Sequence, residues 1–144
     1  MSASRRDILK FTALGISSAL LNNAMSQTNP TTFTVALISD THLGKDGESP
    51  STQFQTAINE INASPAELTI CCGDLVNAGE NLANEKRYPE WLALASKLKN
   101  PWHAIPGNHD PNTMFLKHIA KQTDFTIDRA PFRFICFRDA QNNP

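Results

Sequence analysis

Ile105-Pro106-Gly107-Asn108-His109-Asp110 is the stretch whose reading decides the fold. The apolar run that enters it, Trp102-His103-Ala104-Ile105, reads as a buried strand, and Asp110-Pro111 reads as a helix N-cap followed by proline at the first helical position. Asn108 and His109 are therefore expected on a strand-to-helix loop. Two earlier apolar runs end in the same way: Phe33 to Ile38 gives way to Ser39-Asp40-Thr41-His42, and Leu68 to Cys72 gives way to Gly73-Asp74. In an open parallel sheet all such loops fall at the carboxyl ends of the strands, so their oxygen and imidazole groups converge on one crevice.

The segments between these strands carry helical spacing. Phe54, Ala57, Ile58 and Ile61 form an apolar stripe within Ser51 to Ala63, with Ser49 or Ser51 as a cap and Pro65 closing the segment. Tyr88, Trp91, Leu92, Ala95 and Leu98 form a second stripe that ends near Asn100-Pro101, after a polar loop from Asn77 to Asn84. Strand, helix, strand, helix, strand with right-handed crossovers predicts an α/β chain with a βαβαβ core and a parallel sheet. Within Asp40-x-His42, alternation in an extended segment puts both side chains on one side. Past the opening stretch, Met114, Phe115, His118 and Ile119 predict a short helix. Phe125 to Ile127 and Phe132 to Phe137, separated by Asp128 to Pro131, predict a hairpin.

Asp40, His42, Asp74 and Asn108 form a donor set suited to divalent manganese, iron, zinc or magnesium. A carboxylate such as Asp74 can bridge two ions, and an ion pair of this kind clamps an in-line phosphoryl displacement. His109 can donate a proton to the leaving oxygen or orient the phosphate, and Asp110 can fix the tautomer of that imidazole besides capping a helix. The formal net charge of -1 supplies no basic field, so nucleic acid is not indicated as a partner and a phosphate-bearing substrate would need a metal ion to hold it.

The three motifs occur in order, each after an apolar strand, with Asp74 34 residues beyond Asp40 and Asn108 34 beyond Asp74. Here the sequence resembles the calcineurin-like metallophosphoesterase family, whose motifs are Asp-x-His, Gly-Asp and Gly-Asn-His-Asp/Glu, over Thr34 to Asp139. The resemblance implies the amino-terminal half of a two-sheet αββα sandwich and metal-dependent hydrolysis of phosphate mono- or diesters of small molecules. It implies Asp40 and His42 on a first metal, Asp74 bridging, Asn108 on a second, and Asn108 with His109 near the scissile phosphate. Purple acid phosphatases differ in having a tyrosine three residues after the bridging aspartate, where this chain has Asn77. The family pattern continues with Gly-His and Gly-His-x-His, which nothing here fits; His103 and His118 read as ordinary histidines. The chain is therefore expected to be truncated, weak or inactive alone, and to self-associate through an uncovered sheet face. The competing expectation is a non-catalytic remnant or interaction module that keeps part of the metal site.

Residues 1–26 read as a signal rather than fold. Arg5-Arg6 precedes the mostly apolar Phe11 to Leu21, and Ala24-Met25-Ser26 supplies small residues before Gln27. The segment resembles twin-arginine signals, which implies a periplasmic or secreted protein whose domain is residues 27–144. An 11-residue run is short of the roughly 20 needed to span a bilayer, so no stable membrane anchor is expected. Cys71, Cys72 and Cys136 all lie in apolar runs and are expected to be buried, reduced thiols.

Overall fold

Strand β2 (Leu68–Cys71) has all of its residues buried, Thr69 included, as expected of a mostly apolar strand covered on both faces. The computed structural model describes residues 32–45 and 50–139, and within them β2 is the middle of a three-stranded parallel sheet. Strand β1 (Val35–Ile38) lies on one side, Val35 opposite Leu68 and Ile38 opposite Cys71. Strand β3 (Trp102–Ala104) lies on the other, Thr69 opposite Trp102 and Cys71 opposite Ala104. The crossovers are α1 (Pro50–Ala63) and α2 (Arg87–Ala95), so the expected βαβαβ core is present. The signal-like segment, the linker that follows it and the Ser49 cap lie outside the described residues. No described helix is long and apolar enough to cross a membrane.

Alternation along β2 divides the core. Cys71 joins the helical layer, where Phe54 and Ile58 of α1, Tyr88 and Trp91 of α2, and Phe115 are buried together. Full burial of a side chain such as Ile58 or Phe115 stabilises by about 2–3 kcal/mol. Leu68 and Ile70 face the other way, onto a hairpin of β4 (Phe125–Arg129) and β5 (Phe132–Cys136), through Ile127 and Cys136. Phe33, just before β1, meets the rings of Phe132 and Phe134 at 6.4 and 5.9 Å. The fully buried Thr69 donates to Asn100 Oδ1 at 2.9 Å, and Asn100 Nδ2 donates to Ala66 O, tying β2 to the turn before β3.

Several sequence expectations are corrected. Asp110 does not cap a helix: α3 (Asn112–His118) is preceded by extended Pro111, which makes no side-chain cap, and Met114 and Phe115 both donate to Pro111 O. The polar loop before α2 contains a 3-10 turn, Leu82–Asn84, because the Asn81 carboxamide accepts from Ala83 N. Strand β4 runs on through Asp128 and Arg129 to a two-residue turn, since Asp128 stands opposite Arg133 and pairs with its guanidinium through both carboxylate oxygens. Cys71 and Cys136 are buried but Cys72 is exposed, and all three are free. Burial, with Cys72 beside it, pushes the Cys71 thiol up to about 12.

Candidate metal centre

Beyond the strand ends the chains stay paired but leave extended geometry. Asp40 N donates to Gly73 O, His42 N to Asp74 O and Leu43 N to Leu75 O. Asp40, His42 and Asp74 adopt φ of 57, 40 and 53°, and Gly73 adopts 98°. Asp40 and His42 are thus brought together by left-handed residues and not by the strand alternation expected. A left-handed non-glycine residue costs on the order of 1 kcal/mol and persists only where its surroundings over-determine it. Here they do so, because Leu43, Leu75 and Val76 beside the strained residues are buried in the helical core. Thr41 Oγ1 donates to Leu75 O and accepts from Trp91 Nε1, each at 3.0 Å.

The third loop is pressed against the second. A Cβ on Gly73 would lie 2.6 Å from Gly107 Cα, and one on Gly107 would lie 2.1 Å from Asp74 Oδ1, so only glycine admits this approach. It lets His109 N donate to Asp74 Oδ1 at 3.0 Å. His42 Nε2 lies 3.7 Å from Asp74 Oδ2 and 3.6 Å from Asp40 Oδ1, and the rings of His42 and His109 meet edge to face at 5.0 Å. Ligand atoms of His42, Asp74 and His109 all lie within 4.8 Å of one another. The His42 contacts are too long for hydrogen bonds, and they match donors about 2.0–2.2 Å from a shared cation, whose mutual spacing is about 3–4.4 Å. His42 Nδ1 is buried without a partner. The His42 imidazole with the carboxylates of Asp40 and Asp74 fits a divalent transition metal better than a hard oxygen-only ion, and the His109 ring stands beside that set.

Of the residues singled out by sequence, His42, Asp74 and His109 are drawn into one group, with Asp40 beside His42 at the more exposed rim. Asn108 is exposed on the same loop, one residue before His109. Asp110 is 1% exposed, and its carboxylate accepts from Leu75, Val76 and Gly107 N–H groups and from the Tyr88 hydroxyl. Burial raises its pKa against the pull of those N–H groups, and Asp74 adds to the rise. Tyr88 is missing from the sequence-derived set, where it reads only as part of a helical stripe. Its phenol is pushed up by burial and by Asp110. The remaining histidines lie elsewhere: His118 stacks on Tyr88 and bonds Glu85, and His103 meets Phe125 at 5.3 Å.

Comparison with known proteins agrees with this arrangement. A dimetal phosphatase from Danio rerio superposes with a TM-score of 0.60 at 16% identity, over 72% of this chain and 43% of that one. At that identity the likeness is one of fold, and this chain spans less than half the length of the neighbour. No curated protein matches the sequence. The family model for calcineurin-like phosphoesterases matches residues 33–141, which takes in β1 through β5 and each motif loop. A parallel sheet whose three loops carry those motifs into one donor cluster, inside a family match of that extent, makes this chain a member of the calcineurin-like phosphoesterase family.

Proposed function

We propose that the protein hydrolyses small-molecule phosphate mono- or diesters at a dinuclear metal centre. The observation that carries this reading is the meeting of His42, Asp74 and His109 ligand atoms within 4.8 Å, His42 and Asp74 themselves held at positive φ. Asp40, His42 and Asp74 would hold the first ion, and Asp74 and Asn108 the second. A divalent ion held there would lower the pKa of a water and offset charge on the phosphoryl group. Asp74 is suited to its part because the His109 N–H fixes Oδ1 while Oδ2 faces His42. The His109 imidazole orients the phosphate and gives a proton to the leaving oxygen. These donors are fewer than two ions require, so residues 27–144 alone bind at most one ion weakly and turn over poorly.

Metal analysis beside a phosphodiester assay, on a form of the protein completed with the remaining ligands, tests the roles. Asp74→Asn should lose metal and activity together, whereas His109→Ala should keep metal and lose at least about a hundredfold in turnover. Metal loss in the His109 variant would move that residue into the ligand shell. Full activity in either variant would contradict the reading.

A further inference from the structure

Hydrogen bonds use both oxygens of Asp110 completely. Oδ2 accepts from Leu75 N and Gly107 N at 3.0 Å each, and Oδ1 accepts from Val76 N at 3.2 Å and Tyr88 OH at 3.4 Å. An ionised carboxylate offers about four lone-pair sites, and four donors occupy them. The His109 ring is not among those donors, so the expected tautomer-fixing contact has no oxygen left to make it. The donors instead come from the loop that carries Asp74, the loop that carries His109, and α2.

We propose that Asp110 is the positioning residue of the centre, acting through the backbone of the two loops and not through the imidazole beside it. The proposal deepens the metal-centre reading and rests on it. Leu75 and Val76 directly follow Asp74, so anchoring their N–H groups holds Asp74 in its left-handed conformation. Anchoring Gly107 N keeps that glycine against Asp74 and leaves His109 N aimed at Asp74 Oδ1. Tyr88 OH completes the set from the helix layer, and Gly79 makes room for it: a Cβ there would lie 2.2 Å from that hydroxyl.

Asp110→Asn is the decisive variant. Both oxygens face backbone N–H groups, so the amide nitrogen must oppose an N–H donor whichever way it is flipped. Two readouts are taken on the full chain: the contact between the His42 and His109 rings by NMR without metal, and manganese affinity by calorimetry. Asp110→Asn should lose the ring contact, shift the ring nitrogens of both histidines, and weaken manganese binding by about 10–100-fold. Tyr88→Phe removes one neutral donor and should weaken binding by about fivefold, which keeps the claim testable if Asp110→Asn does not fold. Ile58→Val, buried in the helical core away from the loops, controls for lost stability and should change neither readout. Shifts confined to the His109 ring, or variants that match Ile58→Val in both readouts, would overturn the proposal. A wild-type protein that keeps the ring contact but binds no manganese would sink the metal reading, while the ring contact still decides the role of Asp110.

Discussion

Asp40, His42 and Asp74 carry positive φ, and no feature of an aspartate or a histidine in a sequence announces that conformation. Their identity and spacing were legible because polar residues interrupt apolar runs at three strand ends. The means of bringing Asp40 and His42 together was not, since alternation assumes the strand continues. The close approach of Gly73 and Gly107 was not read from the sequence either, and there the physical demand is for a missing Cβ. Gly107→Ala would place a carbon 2.1 Å from Asp74 Oδ1, so one loop must yield. The expected loss is about 2 kcal/mol, in the range of overpacked sites, read as a lowered urea midpoint. An unchanged midpoint would mean that the two loops are not in contact.

At the scale of elements, apolar runs and helical spacing located three strands and two crossover helices because each buries one face against a shared core. The ends were harder to read. Leu98 lies beyond α2 yet stays buried, because Leu98 N still donates to Ala95 O in a tightened last turn. Strand β4 outran its apolar residues because the pairing of Asp128 with Arg133 sits on the exposed face of the hairpin. Beside the backbone ladder, a polar contact hidden from any hydrophobic pattern, that of Thr69 with Asn100, ties β2 to the turn before β3. Thr69→Val keeps the shape and removes the donor, leaving Asn100 Oδ1 without it. Stability should fall by about 1–2 kcal/mol with manganese affinity unchanged, measured by denaturation and calorimetry on the same samples. A variant as stable as the parent would assign Thr69 to packing alone.

For the whole molecule, the helical layer and the hairpin cover opposite faces of the sheet, and the outer surface of the hairpin is less well covered. Ile135 and Phe137 are 69% and 60% exposed, and Leu37 on the edge strand β1 is 67% exposed. Apolar surface of this kind favours association. Sedimentation velocity should show concentration-dependent oligomers that Ile135→Ser with Phe137→Ser reduces; indifference to both substitutions would place the contact elsewhere. The family was legible from three short motifs because their chemistry needs those donors at strand ends. Their convergence was expected from the strand-end loops, but the contact that draws His109 to Asp74 was not, because it is made by a backbone N–H that no side-chain pattern reports. The central claim is that these loops build a divalent metal site. Anomalous diffraction from crystals soaked in manganese tests it most directly. The predicted result is a peak about 2.0–2.3 Å from His42 Nε2 and Asp74 Oδ2. A peak confined to another cluster such as Glu85 with His118, or none at saturating manganese, would contradict it.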